Sequence, residues 1–176
     1  MKTIIVITCL IVMQLPVMAQ DQDPSAEWSK VNIGLGIGID YGGFGGRFTV
    51  LPAERFGLFL GLGYNLVGAG YNVGATYRFL PAKRVCPTIN AMYGYNGVIK
   101  VQNASQFDKA YYGASIGGGV EFRTRNPKNY FNLELIIPFR PQAFYDDVDD
   151  LKNNSAIEFQ TEPIPIAFSI GYHFGL

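Results

Sequence analysis

Residues 113–117 of this chain read Gly-Ala-Ser-Ile-Gly and are its closest match to a catalytic motif. The spacing fits the G-x-S-x-G nucleophile elbow, in which a serine sits on a strained turn between a strand and a helix. Here Ser115 lies in an alternating run that continues through three glycines to Val120, which is typical of a strand. We therefore expect a chance match in a glycine-rich sequence and no serine nucleophile.

The only histidine, His173, is the only imidazole available as a general base, and it lies near the end of the last alternating segment. No G-x-G-x-x-G loop, P-loop, H-E-x-x-H or paired-cysteine motif occurs in the sequence, so nucleotide and zinc chemistry have no support. We predict that His173 fills space in the fold, that the protein is not an enzyme, and that it binds no cofactor and no metal.

An acidic segment with aromatic residues, from residue 144 to 162, is the other candidate for function. Its four closely spaced aspartates would attract Ca²⁺, but the EF-hand spacing and its loop glycine are absent, which favours a solvated loop. Aromatic side chains beside carboxylates could contact a partner that the sequence does not identify. The candidate partner-contact residues are Phe144, Tyr145, Asp146, Asp147, Asp149 and Asp150.

These residues belong to a chain whose side chains alternate with a period of two from Val31 to Phe174. In residues 31–40, every odd position is Val, Ile or Leu and every even position is Asn, Gly or Asp, which predicts a strand with one apolar face. The same pattern predicts eight strands and needs no helix. Their approximate ranges are 31–39, 44–51, 56–66, 69–79, 85–96, 110–122, 130–139 and 163–174.

The apolar faces carry the bulk of these strands, whereas the opposite faces are too small and polar to form the core of a soluble sheet. This inversion predicts an all-β fold, an eight-stranded antiparallel up-and-down transmembrane β-barrel with its apolar face toward lipid. Aromatic residues cluster near the strand ends, where a bilayer has its headgroups.

A barrel of eight strands is just wide enough for side chains to fill, which argues against an open pore. Buried charges of both signs require partners. Arg47 and Glu134 fall near the middle of their strands, whereas Arg78 and Glu121 approach one end. We therefore predict a salt-bridged polar plug. The predicted lumen face carries Arg47, Arg78, Glu121 and Glu134, together with Asn65, Asn72, Asn90 and His173.

The N-terminus predicts export. Lys2 precedes an apolar run over residues 4–15, and a Val-Met-Ala cleavage pattern ends before Gln20, as in a secretory signal peptide. We assign residues 1–19 to the cleaved signal peptide, 20–30 to an N-terminal lead and 31–176 to the barrel. Cleavage leaves Cys86 as the only cysteine, so we expect no disulfide framework. The formal net charge of zero gives no global field that would favour nucleic acid.

The predicted connections alternate between tight turns, at 52–55, 80–84 and 123–129, and longer segments, at 97–109 and 140–162. The last segment, residues 166–174, has the sequence IAFSIGYHF and ends on an aromatic residue, with Gly175 and Leu176 after it. In these features the chain resembles the small eight-stranded outer-membrane barrels of Gram-negative bacteria, the OmpX and OmpA transmembrane-domain type.

The resemblance implies a monomer in the outer membrane, a periplasmic lead, and contact with outer-membrane lipid and with the barrel assembly machinery. It also implies a structural or surface-interaction role, in which the longer loops meet any extracellular partner. In that family the aromatic residue is usually the last one, so the two residues after Phe174 depart from the pattern.

A secreted soluble barrel of the lipocalin type, with a small apolar ligand inside, is the alternative. Such a barrel needs its apolar residues to point inward, whereas here the other face is largely Gly, Asn and charged residues. Fractionation distinguishes the two, because a lipocalin is recovered from the soluble periplasm without detergent.

Overall fold

The computed structural model describes residues 29–101, 108–153 and 164–176. The predicted signal peptide, most of the predicted lead and parts of both longer connections lie outside the described residues. Within these ranges the chain forms eight strands, one α-helix and one short 3₁₀ turn at Ile39–Tyr41. The elements are β1 (Val31–Gly38), β2 (Gly43–Ala53), β3 (Phe56–Tyr64), β4 (Ala69–Arg78), β5 (Val85–Ile99), β6 (Lys109–Arg123), β7 (Tyr130–Pro138), α1 (Gln142–Asn153) and β8 (Ala167–Gly175).

The strands form one closed barrel in chain order, and each pairs antiparallel with its neighbours. Closure occurs between β1 and β8, where Ile33 lies opposite Phe174 and Ile37 opposite Ile170. The predicted eight-stranded antiparallel up-and-down barrel is therefore confirmed. Closure satisfies the backbone hydrogen bonds of what would otherwise be two free edges.

The two ends of the barrel differ. The turn end carries the connections at 54–55, 79–84 and 124–129 together with the described chain termini, where Ser29 Oγ donates to the carbonyl oxygen of Leu176 at 2.6 Å. The loop end carries the connections at 39–42, 65–68, 100–108 and 139–166. Polar and apolar residues alternate between the two faces of the wall as the sequence predicts. Leu35, Phe44 and Leu135 point outward and are exposed, whereas Asn32, Asn72 and Asn132 point inward and are buried.

One part of that pattern was wrong. Ile39 was expected to continue the outward stripe of the first strand, but β1 ends at Gly38 and Ile39 is buried inside the barrel. The chain reverses because Gly38, Gly42 and Gly43 have φ of 150°, 70° and 112°, which side-chain-bearing residues rarely adopt.

Strands β5 and β6 continue beyond the wall. Residues 95–99 and 109–112 pair only with each other among the described strand pairs, so they form a hairpin that projects at the loop end. A bulge between Tyr95 and Gly97 adds one residue to β5. Because side chains alternate with a period of two, the extra residue moves Ile99 to the same face as Tyr111.

Helix α1 lies where the sequence predicted only a loop, so the expectation that no helix is needed was wrong. Phe144, Val148 and Leu151 recur at the spacing of one helical face, and all three are buried. This face packs on the projecting hairpin, against Ile99 and Tyr111. We call residues 97–101 and 108–111 with α1 the loop-end lobe.

Candidate functional site

The β1–β2 connection folds into the barrel lumen rather than outward. We call Ile39–Tyr41 the inner turn; all three of its residues are buried, and Asp40 and Tyr41 are fully so. Asn72 Nδ2 of β4 donates to the carbonyl oxygen of Ile39 at 2.6 Å. The inner turn therefore occupies space that a hollow barrel would leave to water.

Glycines on the wall make room for the inner turn. A Cβ at Gly61 would overlap the carbonyl oxygen of Asp40, and a Cβ at Gly171 would overlap the hydroxyl of Tyr41. At Gly36 it would approach the Tyr41 ring to 2.7 Å. These contacts are closer than a side chain allows, so several lumen-facing positions are glycine because the inner turn lies against them.

The centre of the lumen is an ion cluster around Arg47. Its Nη1 lies 2.7 Å from Asp40 Oδ2 and 3.2 Å from Glu134 Oε1, and its Nη2 donates to Thr76 Oγ1 at 2.9 Å. The guanidinium also stacks over the Phe59 ring, 3.8 Å from its centroid. Both carboxylates and the guanidinium are buried, so each depends on the others for compensation.

The carboxylate oxygens of this cluster all have partners. Ser169 Oγ donates to Asp40 Oδ1, and Asn90 Nδ2 donates to Glu134 Oε2 at 2.6 Å. Asn132 Nδ2 donates to Glu134 Oε1 at 3.3 Å. The cluster therefore joins the inner turn to β2, β5, β7 and β8.

A second ion pair lies nearer the turn end. Arg78 Nε is 3.0 Å from Glu121 Oε2, and both side chains are buried. The Arg78 guanidinium lies over the Tyr130 ring at 5.1 Å, and that ring stacks on His173 at a centroid distance of 4.4 Å.

His173 and the inner turn share a hydrogen-bonded chain. Tyr41 Oη donates to Asn132 Oδ1 at 2.7 Å, and His173 Nε2 lies 2.6 Å from the same hydroxyl. With the hydroxyl donating to Asn132, the Nε2–H of His173 donates to Tyr41. Burial on β8 places His173 in a structural contact that fixes the inner turn.

Apolar side chains fill the lumen on the loop-end side of the ion cluster. Ile39, Phe59, Met92 and Ile136 form one buried cluster, and Tyr95 and Ala167 pack against it.

The four lumen residues singled out from the sequence fall into two pairs, Arg47 with Glu134 and Arg78 with Glu121. Sequence reasoning missed Asp40, which binds Arg47 more closely than Glu134 does. The signal available was its place in the run Gly-Ile-Asp-Tyr-Gly-Gly, where flanking glycines permit a reversal. Asn65, also expected in the lumen, is buried, and its Oδ1 accepts from the backbone N–H groups of Val67 and Gly68, so it caps the β3–β4 turn.

Ser115 and His173 lie far apart. Ser115 pairs with Pro138 near the loop end, whereas His173 pairs with Tyr130, eight positions along β7, which corresponds to roughly 26 Å along the strand. This separation is too large for a nucleophile and its base. Among residues 29–101, 108–153 and 164–176, no group of three or more His, Cys, Asp or Glu side chains is arranged to hold a metal ion.

The loop-end lobe holds the candidate partner-contact residues. Phe144 was expected to be exposed, but it is buried because its ring packs edge-on against Tyr111 at 5.0 Å. Asp147 accepts from Lys109 Nζ at 2.7 Å and Tyr111 Oη at 2.5 Å. The hydrogen bond from Lys109, and then that from Tyr111, lowers the pKa of Asp147. The remaining four candidates are exposed: Tyr145, Asp146, Asp149 and Asp150.

Within the described residues, no helix has the length and apolar character required to span a membrane. No protein-family model matches this sequence, and a search of curated proteins found no significant match.

Proposed function

We propose that this protein is an integral outer-membrane β-barrel of a Gram-negative bacterium, exported by its N-terminal signal peptide. Its filled lumen gives it a structural role, and its loop end provides any contact with an extracellular partner. It acts as a monomer without catalysis, and the barrel assembly machinery inserts it.

The observation that carries this proposal is the continuous apolar outer wall. Soluble monomers rarely expose apolar patches larger than a few hundred Å². Here every strand presents a large apolar side chain to the outside, with an exposed fraction between 46% and 70%. One example from each strand in order is Leu35, Phe44, Leu62, Val73, Tyr93, Ile116, Leu135 and Phe168.

Aromatic residues form a ring at each end of this wall. At the turn end Phe56 lies opposite Tyr77, and Phe131 lies between Phe122 and Tyr172 on the neighbouring strands. The loop-end ring contains Phe44, Tyr64, Tyr71, Tyr93 and Tyr112. Two aromatic rings around an aliphatic band are typical of barrels that span a bilayer.

The lumen side chains favour the membrane proposal over the alternative of a soluble, ligand-binding barrel. A lipocalin-type barrel needs an apolar cup, whereas here Arg47, Asp40 and Glu134 occupy the middle of the lumen. An apolar ligand would have to displace the inner turn and break these ion pairs. The filled lumen also argues against a general porin.

Fractionation of cells that express the full chain tests this proposal. We expect the mature protein in the outer-membrane fraction, with faster gel migration unheated than after boiling, because a closed barrel resists detergent. Recovery from the soluble periplasm without detergent would contradict the membrane proposal and favour the soluble alternative.

A further inference from the structure

The outer wall of the barrel contains a recess among its bulky side chains. A groove of about 530 Å³ crosses strands β4 to β7, and its lining is almost entirely apolar. Small residues Ala75, Ala91 and Gly118 form part of it, and larger ones such as Tyr77 and Leu135 border it. Strand register places Ala75 opposite Ala91 and Gly118 opposite Ile89, so the small residues of three neighbouring strands are adjacent.

Charge is distributed unevenly between the two ends of the barrel. Among the described residues, the connections and termini of the turn end carry six basic side chains, and Glu54 is their one acidic side chain. Outside the lumen, the described loop-end connections together with Lys109 at the start of β6 instead carry five aspartates beside four basic residues. The basic residues of the turn end are Lys30, Arg55, Lys83, Arg84, Arg125 and Lys128.

The lining of the groove begins beside this basic end. Arg55 directly precedes Phe56, which lines the groove and lies opposite Tyr77. Arg84 is five residues before Ile89, another lining residue, and five strand positions span roughly 17 Å. Half of a hydrocarbon core of about 30 Å is about 15 Å, so a tilted strand carries the groove from the headgroup level to mid-bilayer.

We propose that the groove and the basic turn end together bind one phospholipid with an anionic headgroup. One acyl chain lies in the groove, where Ala75, Ala91 and Gly118 leave room for it. The phosphate and the anionic headgroup lie beside Arg55 and Arg84, whose exposed guanidiniums suit phosphate oxygens. The inference rests on the proposed membrane location and adds a lipid preference to it.

Native mass spectrometry of the full-length mature protein tests this site. The folded barrel in detergent is mixed with equal amounts of phosphatidylglycerol and phosphatidylcholine, and the lipids that remain bound are counted. We expect wild-type protein to retain one phosphatidylglycerol in preference to phosphatidylcholine. Equal retention of both lipids would overturn the headgroup part of the site.

A matched pair of glycine variants tests the groove. A Cβ at Gly118 or at Gly46 meets only ordinary van der Waals contacts, and Gly46 lies on β2, four strands away from β6. Gly118→Phe fills the groove, so we expect retention of either lipid to fall about tenfold, equivalent to the loss of about two buried methylenes. Gly46→Phe should retain lipid as wild type does, and equal loss in both variants would overturn the groove.

A matched pair of charge variants tests the headgroup site. We expect Arg55→Gln/Arg84→Gln to lower phosphatidylglycerol retention about fivefold for each arginine removed, with phosphatidylcholine unaffected. Lys30→Gln/Lys128→Gln removes the same charge at the turn end near β1 and β8, and should leave retention unchanged. Equal losses in both double variants would indicate general attraction and overturn the site.

Other outcomes separate this inference from the proposed function. A dimer mass in place of a lipid adduct would assign the groove to a second copy of the chain and overturn the lipid. Heat-dependent gel migration, measured on each sample, reports whether the barrel itself is folded. A wild-type protein that stays soluble without detergent contradicts the membrane location, whereas a folded outer-membrane barrel that retains no lipid contradicts only the lipid site.

Discussion

The barrel wall and the loop-end lobe place their apolar side chains in opposite ways. In the wall, Leu35 and Leu135 point outward while Arg47 and Glu134 are buried inside. In the loop-end lobe, Phe144 and Val148 form a buried apolar core while Asp146 and Asp149 face outward. The lobe has the ordinary arrangement of a protein in water, so one chain contains regions suited to two different solvents.

The bulge at Tyr95 and Gly97 marks the boundary between the two regions. Before it, the odd-numbered residues of β5, such as Tyr93, face outward; after it, Ile99 faces the lobe core with Tyr111. A single extra residue is sufficient because side chains alternate strictly along a strand. The same strand thus contributes first to the exposed apolar outer wall and then to the buried core of the loop-end lobe.

Removal of the buried cation should have the largest effect on the wall. Arg47→Met leaves Asp40 and Glu134 buried without their common partner, so we expect a loss of about 3–5 kcal/mol in the free energy of unfolding. Urea unfolding in lipid vesicles, followed by gel migration, measures it. Arg125→Met in the exposed β6–β7 turn is the control and should change stability little. A loss in Arg47→Met no larger than the small loss in Arg125→Met would show that the ion cluster is dispensable.

A charge on the outer face should come next. Leu135→Arg places a guanidinium in the apolar belt, and we expect it to destabilise the inserted barrel by about 2–4 kcal/mol. The matched control is Leu80→Arg, in the exposed β4–β5 turn beyond the aromatic ring. The fraction of protein that folds into vesicles measures both. If the two variants insert equally well, the outer wall does not face lipid.

Truncation of the lobe core should affect only the lobe. Phe144→Ala removes the ring that packs on Tyr111, so we expect faster amide hydrogen exchange in the β5–β6 hairpin tip and in α1. The midpoint of barrel unfolding should remain unchanged, because the lobe is built outside the closed wall. Asp150→Ala, at an exposed position of the same helix, should leave both measurements unchanged. A lower barrel midpoint in Phe144→Ala would show that the two regions fold as one unit.

The smallest effect should come from pH at the surface of the lobe. The pKa of Asp147 is lower in the folded state than its unfolded value near 3.8. Ionised Asp147 therefore stabilises the lobe fully above pH 3.8, and this stabilisation is lost as the pH falls through the lower pKa of the folded state. Exchange protection of α1 should therefore decrease in that acidic range. Asp147→Asn should remove this dependence, whereas exposed Asp149→Asn should keep it. An unchanged profile in Asp147→Asn would contradict the role of its hydrogen bonds.

Much of the wall could be predicted from the sequence because a period of two directly specifies the face of each residue. The position of each charged lumen residue along the barrel could be predicted from its place in its strand. The two expected pairs form, Arg47 with Glu134 and Arg78 with Glu121. The inner turn could not be predicted in this way, since Ile39 continues the alternation of β1 and only the positive φ values of the flanking glycines redirect it. Asp40 was missed for the same reason.

Helix α1 shows a different limit. Its apolar residues Phe144, Val148 and Leu151 have helical spacing, but four aspartates among them made the segment resemble a solvated loop. The partners of that apolar face, Ile99 and Tyr111, lie at least 33 residues earlier and become available only through the bulge in β5. The sequence of the helical segment alone therefore does not show that its apolar face packs on the β5–β6 hairpin.

The hydrogen bonds of Tyr41 bear on the order of assembly. Its partners Asn132 and His173 follow it by 91 and 132 residues, so both are synthesised well after Tyr41. The inner turn between β1 and β2 cannot form its hydrogen bond to His173 until β8 has joined the barrel. The hydrogen bonds of Tyr41 are thus completed when β8 pairs with β1. A nascent sheet that lacks β8 has neither this hydrogen bond to His173 nor a closed barrel.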